Sequence, residues 1–132
     1  MKAVTASALS ILCGLLLWAS PALADGIYDQ CVKGTSTNTG WASCGAAYLK
    51  RLDNALNAAW KNTVSSLDGK SRAQLLREQQ AWIKFKDASC QFYANGDFGR
   101  EGQVVHYVEC RAAIIEARIS DLNAIYAATH QG

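Results

Sequence analysis

Three long stretches of the chain place apolar residues three and four positions apart, with polar residues between them. The first stretch runs from about residue 46 to residue 67. Its repeating positions are Leu49, Leu52, Leu56, Ala59, Thr63 and Leu67. This spacing puts the repeating side chains on one face of an α-helix. The Asp68-Gly69 pair that follows predicts a turn that ends the helix.

The second stretch begins at Ser71, and Gln74 follows three positions later. This spacing predicts a capping box at the start of a helix that runs to about Tyr93. The predicted inner face of this helix comprises Leu75, Leu76, Gln79, Trp82, Ile83, Lys86, Cys90 and Tyr93. The third stretch runs from Gln103 to about Ala128 and has the same helical period. Its apolar stripe comprises Val104 or Val105, Val108, Ala112, Ile115, Ile119, Leu122 and Tyr126.

Glycine residues mark the connections between these stretches, and no proline follows Pro21. The segments 34–40 and 95–102 are rich in glycine and polar residues and are predicted to be loops. Residues 27–32 are compatible with a short helix. We therefore predict an all-α fold, an antiparallel three-helix bundle with a short N-terminal helical or loop segment.

The first 24 residues have the features of a secretory signal peptide. Lys2 precedes an apolar run from residue 6 to residue 18, and Pro21 and the small residues of Ala22-Leu23-Ala24 follow. This pattern predicts cleavage after Ala24, and the apolar run is shorter than the ~20 residues that a membrane-spanning helix needs. We therefore expect a periplasmic or secreted protein without a membrane span, in which residues 25–132 form one helical domain.

Charge and residue types limit the chemistry of this domain. Without Lys2, twelve Lys and Arg residues stand against eleven Asp and Glu residues. This balance argues against nucleic acid as the main partner. The histidines are His106 and His130, and neither has ligand spacing to a cysteine. No nucleophile motif or phosphate-binding loop is present, so the sequence predicts no enzyme activity, no cofactor and no metal site.

Cysteine spacing predicts two disulfides. Cys13 lies within the predicted signal peptide, and its removal leaves an even number of cysteines: Cys31, Cys44, Cys90 and Cys110. An even number in a small exported domain indicates disulfides, and the absence of a CxxC pair disfavours a redox role. Cys90 and Cys110 are nearly equidistant from the 95–102 loop, so they lie at the same height in an antiparallel helical hairpin. We therefore predict Cys90–Cys110, and with it Cys31–Cys44.

Three blocks of the chain carry a resemblance to a known family. In chain order, they are Leu52-Asp53 with Leu56-Asn57 and Trp60, then LREQQAWIKFKDASC from Leu76 to Cys90, then Cys110 with Arg118 and Leu122. The chain resembles the LprI-like family of exported four-cysteine proteins, which is named for a bacterial lysozyme inhibitor. The resemblance implies a non-catalytic protein that inhibits a lysozyme by direct binding. The alternative is a periplasmic structural or interaction module, or an immunity-type protein that binds a different envelope partner.

The polar residues of these blocks also have a structural explanation. Buried polar groups need hydrogen-bond partners. We predict that these residues form interhelical hydrogen bonds and salt bridges, which fix how the helices align. The residues are Asp53, Asn57, Gln79, Asp87 and Arg118.

The 95–102 loop is the candidate surface for a protein partner. A lysozyme cleft contains two carboxyl groups, so blocking it requires a protruding polar element. In this loop, Arg100 could pair with a cleft carboxylate and Phe98 could supply apolar contact, while Asp97 and Glu101 complete the candidate set. The alternative interpretation is a plain, solvated connection between two helices.

Overall fold

The computed structural model describes residues 25–131, and all regular secondary structure in this range is helical. In chain order, the elements are α1 (Gly26–Lys33), α2 (Asn38–Ser65), α3 (Gly69–Ala88), α4 (Gln91–Ala94), α5 (Gly99–Glu101), a π-helix (Gly102–His106) and α6 (Tyr107–Thr129). The predicted all-α class is therefore confirmed. The predicted signal peptide, residues 1–24, lies outside the described residues. Within the described range, no helix has both the length and the apolarity needed to cross a membrane.

The N-terminal segment is helical, and α2 begins earlier than the apolar pattern predicts. The Asp25 carboxylate accepts hydrogen bonds from two backbone N–H groups in the first turn of α1. Thr37 caps α2 in the same way, since its Oγ1 accepts from the backbone N–H of Gly40 at 3.0 Å. The Cys31–Cys44 disulfide then joins α1 to α2, with the two Cα atoms 5.7 Å apart. The cap and the disulfide explain why α2 begins before its apolar stripe does.

Both ends of α3 differ from the prediction. Asp68 occupies the position before the helix and Ser71 lies inside it, so the predicted capping box is wrong. The predicted end at Tyr93 is also wrong, because Cys90 has a φ of 70°. A helix cannot continue through this left-handed backbone. The turn falls where Cys90 forms its disulfide with Cys110.

The core consists of two clusters of buried side chains, which lie mainly between α2 and α6. The first cluster contains Tyr28, Cys44, Tyr48, Val108 and Ala112. The second contains Leu56, Ala59, Leu75, Ile115 and Leu122. Burial of this apolar surface is the main favourable term in folding.

α2 and α6 approach each other closely and run in the same direction. Near their starts, Gly45 lies against Val108, and a Cβ atom on Gly45 would be 2.6 Å from Val108 Cγ2. Farther along both helices, the hydroxyl of the fully buried Thr63 lies 2.9 Å from the carbonyl oxygen of Leu122 on α6 and 2.8 Å from that of Ala59 on α2, and it shares its proton between them. The absence of a side chain at Gly45 and the hydrogen bond of Thr63 therefore fix how α2 packs against α6.

α3 runs antiparallel to α6 and contributes less to the core. Within α3, Leu75 is the buried residue, while Gln79, Trp82 and Lys86 are half-buried. Leu76 and Ile83, which were predicted on the inner face, are exposed. They follow Leu75 and Trp82, which face the core. A step of one residue rotates the side-chain direction by about 100° around the helix axis. The inner face of α3 is therefore narrower than the sequence pattern predicts.

The contact at Gly45 gives a first testable prediction. The Gly45→Ala substitution gains about 1 kcal/mol of helix propensity, but forcing a methyl group into a filled core costs about 1–3 kcal/mol. Because Val108 is itself buried, we expect the clash to prevail and the free energy of unfolding in urea to fall. Gly26→Ala is the control, since a Cβ there meets no atom within 4 Å. A Gly45→Ala protein as stable as the Gly26→Ala control would contradict this packing.

Candidate functional site

The four loop residues predicted to meet a partner lie together at one end of the molecule. Asp97, Phe98, Arg100 and Glu101 are all exposed. The segment that carries them, residues 91–106, is called the tip below, and it includes α4, α5 and the π-helix. It is therefore a structured element with helical turns, and the prediction of a simple loop is only partly right.

Glycines and a side-chain turn shape the backbone of the tip. Gly96 and Gly99 have φ values of 98° and 64°. Glycine adopts this left-handed region without steric cost. Asn95 precedes Gly96. Its Oδ1 accepts a hydrogen bond from the backbone N–H of Asp97 at 2.9 Å, and its Nδ2 donates to the Asp97 carboxylate at 3.2 Å. These bonds close a compact turn of the Asx type.

Aromatic rings form the apolar part of the tip. The ring centres of Phe92 and Phe98 are 4.8 Å apart, and Tyr93 lies 5.4 Å from each of them. The cluster remains open to solvent, because Phe92 is 62% exposed and Phe98 is 43% exposed. Aromatic rings are usually buried in a core, so an exposed cluster of this kind is a candidate contact surface.

Gly102 supports Phe98 from below. A Cβ atom on Gly102 would be 2.4 Å from Phe98 Cβ and 3.1 Å from the carbonyl oxygen of Tyr93. Gly102 is buried and begins the π-helix. π-Helical turns are rare and occur frequently at functional sites. Neither Gly102 nor Phe92 was predicted as a site residue, although a glycine just before an apolar helical stripe was a usable signal.

The base of the tip is attached to α6 by two adjacent residues. Cys110 forms the disulfide to Cys90, with the Cα atoms 5.9 Å apart. Arg111 donates to the backbone carbonyl of Lys86, and its Nη2 lies 3.4 Å from Asp87 Oδ1. A cation at the C-terminal end of a helix is favourable because the helix dipole is negative there. The last turn of α3 is therefore held by a covalent bond and by charge.

The tip presents charged groups that are not neutralised within it. Arg100 donates a hydrogen bond to the neutral Oε1 of Gln103, with the nitrogen and oxygen 2.8 Å apart. Among residues 25–131, Arg100, Asp97 and Glu101 form no ion pair. The described part of the chain also contains no group of three or more His, Cys, Asp or Glu side chains that could hold a metal ion. The arrangement offers recognition through a cation, two carboxylates and exposed rings.

The polar residues of the second and third sequence blocks connect α3 to α6. Arg118 is only 5% exposed. Its Nε donates to Gln79 Oε1 at 2.9 Å and its Nη1 donates to Glu78 Oε1 at 2.7 Å. Its guanidinium also lies 5.9 Å from the centre of the Trp82 ring. The predicted interhelical role is confirmed for Gln79 and Arg118.

The remaining polar residues of the blocks divide into two groups. Asp87 contacts Arg111 on α6, as an interhelical role requires. Asp53 and Asn57 are exposed, and neither side chain bonds to another residue in the 25–131 range, so the interhelical prediction is wrong for these two. Both follow an inner residue of α2 by one position, which turns them away from the core.

The support beneath Phe98 gives a second prediction. Gly102→Ala places a methyl group against Phe98 and the Tyr93 carbonyl, so the aromatic cluster must shift. We expect faster chymotrypsin cleavage within residues 91–99 and altered ring resonances of the tip in NMR spectra. Gly99→Asn is the control, because a Cβ there meets no atom within 4 Å and asparagine tolerates left-handed backbone. If Gly102→Ala changes the ring resonances and the cleavage rate no more than Gly99→Asn does, relative to the wild-type protein, Gly102 does not support the cluster.

Comparison with known proteins places the chain in a family. No curated protein and no solved structure shows significant similarity to it. A family model described as "Lysozyme inhibitor LprI" matches residues 31–122. The match covers more than half of the chain, includes all four cysteines of the helical domain and contains each of the three sequence blocks. The chain therefore belongs to the LprI family.

Proposed function

We propose that this protein is an exported, non-catalytic inhibitor that binds a lysozyme directly through its tip. The observation that carries the proposal is the exposed aromatic cluster beside an unpaired arginine, both held on a cross-linked element. Membership of a family described as lysozyme inhibitors supports the choice of partner. Residues 1–24 would direct export to the periplasm or cell exterior as a signal peptide, and they would be removed during export.

The residue types of the tip are those that dominate binding energy at protein interfaces. Phenylalanine and arginine are both enriched at protein interfaces, and arginine is also enriched among the residues that carry most of the binding energy. The rings of Phe92 and Phe98 are in contact, and Arg100 follows Phe98 by two positions on a backbone that is fixed at Cys90 and Gly102. A surface that is already ordered loses little conformational entropy on binding.

The charges of the tip suit the cleft of a glycoside hydrolase in one orientation. The cleft contains two carboxyl groups, and a guanidinium can donate to both oxygens of a carboxylate at once. Arg100 would therefore enter the cleft, with Phe98 against its apolar wall. Asp97 and Glu101 would remain at the rim, because placing like charges next to each other costs binding energy. These two acidic residues would then influence which lysozyme is bound.

An inhibition assay tests this proposal. The protein, expressed in an oxidising compartment, should slow the clearing of a bacterial cell-wall suspension by lysozyme. Arg100→Ala should raise the inhibition constant about tenfold or more, because arginine hot spots carry such energies. Arg77→Ala is the matched control, since Arg77 is also exposed and donates to a glutamine three positions away, Gln74.

The possible results separate the alternatives. If micromolar excess of the wild-type protein inhibits neither hen nor bacterial lysozymes, the proposal is wrong. A different partner recovered from an envelope extract would then favour an immunity-type or interaction module. If the wild-type protein inhibits and the Arg100→Ala and Arg77→Ala variants inhibit equally well, the protein is an inhibitor that uses another surface.

Export has its own test. Asp25 caps α1, and its carboxylate contacts Arg51 Nη2 at 2.6 Å. Cleavage after Ala24 would therefore leave the first contacts of the helical domain in place. We expect the protein recovered from the periplasm or the medium to begin at Asp25 when its N-terminus is sequenced. A protein that retains Lys2 and fractionates with membranes would contradict the predicted cleavage.

A further inference from the structure

We infer that Gln103 is a positioning residue that presents Arg100 to the partner. This inference rests on the proposed function and assigns a role to a residue outside the candidate set of the tip. Gln103 lies in the π-helix between the buried residues Gly102 and Val104, and it is itself half-buried. Its backbone is therefore fixed by core packing, while its side chain reaches the exposed part of the tip.

The side-chain amide of Gln103 connects the two sides of the tip. Its Nε2 donates to the backbone carbonyl of Ala94 at 3.3 Å, at the end of α4. Its Oε1 accepts from Arg100 Nη1 at 2.8 Å, in α5. The first bond fixes the orientation of the amide, because only its nitrogen can donate to a carbonyl. The oxygen is then directed at Arg100, and the flexible arginine side chain is held in one position.

The neutrality of Gln103 matters as much as its geometry. A guanidinium has five N–H donors, and one neutral hydrogen bond leaves the remaining donors and the full charge of Arg100 for a partner. A carboxylate at position 103 would neutralise Arg100 and compete with any carboxylate in the partner's cleft. It would also leave the Ala94 carbonyl without its donor. Glutamine therefore orients Arg100 without reducing its charge.

A second arginine–glutamine pair in the same chain provides a matched control. Arg77 Nη2 donates to Gln74 Oε1 at 2.6 Å, and both residues are exposed on α3. The two residues of this pair are also three positions apart. Gln74 lies 16 positions before Cys90, which corresponds to about 24 Å along a helix. Substitution of Gln74 removes the same type of bond at a place far from the tip.

A double-mutant cycle tests the inference. We compare the inhibition constants and thermal midpoints of four proteins: the wild type, Gln103→Ala, Arg100→Ala and the doubly substituted protein. If Gln103 acts through Arg100, Gln103→Ala raises the inhibition constant about threefold to tenfold, as loss of one positioning hydrogen bond implies. In the Arg100→Ala background the same substitution has no further effect. Gln74→Ala leaves the inhibition constant unchanged.

A charge variant keeps the test valid if Gln103→Ala lowers stability. Gln103→Glu preserves the size of the side chain and its bond to Arg100, and it loses the bond to the Ala94 carbonyl, which Gln103→Ala loses as well. We expect it to inhibit no better than Gln103→Ala, although its thermal midpoint is no lower than that of Gln103→Ala, because the new carboxylate neutralises Arg100. A purely structural role for Gln103 would not produce this result.

Three results would overturn the inference. The first is a Gln103→Glu protein that inhibits as well as wild type. The second is a Gln103→Ala effect that is equally large with and without Arg100. The third is wild-type behaviour of Gln103→Ala while Arg100→Ala loses inhibition, and in this case the proposed function still stands. If the wild-type protein itself inhibits no lysozyme, the proposed function fails, and the inference fails with it.

Discussion

The Cys90–Cys110 disulfide is the constraint on which the exposed end of the molecule depends. The disulfide forms at Cys90, which has a left-handed backbone and lies just beyond the end of α3. It holds Cys90, the residue that precedes the tip, against α6. In the chain-entropy model, closing a loop of 20 residues contributes about 3 kcal/mol. This is a large fraction of the ~5–15 kcal/mol stability of a typical domain. Without the disulfide, the tip would depend on the hydrogen bonds of Arg111 and Gln103 and on the packing of the π-helix.

Hydrogen bonds and ion pairs with α6 compensate for the small apolar surface that α3 contributes to the core. Its buried residue is Leu75, so Arg118 and Arg111 supply the other specific contacts with α6. The Nη2 atom of Arg118 is buried and has no hydrogen-bond partner in the described range. A buried cation with incomplete bonding stabilises a fold weakly. These arginines therefore contribute mainly by fixing how α3 aligns with α6, and this alignment brings Cys90 opposite Cys110.

The same alignment determines what the tip can present. The base of the tip is cross-linked, and Gly102 packs against Phe98. The rings of Phe92 and Phe98 can therefore remain exposed without the tip collapsing onto the core. The exposed faces of these rings and the uncompensated charge of Arg100 contribute little to the stability of the free protein, because they remain in contact with solvent. Their presence on a cross-linked part of the chain is explained if they are used in binding, where a pre-ordered surface has a lower entropic cost.

The sequence by itself determined the helical class, most of the inner stripes of α2 and α6 and the location of the candidate residues, because helical periodicity and glycine placement are local properties. Two positions of the predicted stripes are exceptions, since Tyr126 is 37% exposed and Leu67 lies beyond the end of α2. The nearly symmetric placement of Cys90 and Cys110 about residues 95–102 also led to the pairing that the structure contains. Only the tertiary structure decided where α3 begins and ends, which of its apolar residues face the core and how Phe92, Gly102 and Gln103 meet Phe98 and Arg100. These outcomes depend on contacts between distant elements, above all the approach of α6 to the last turn of α3, and no local pattern encodes such an approach.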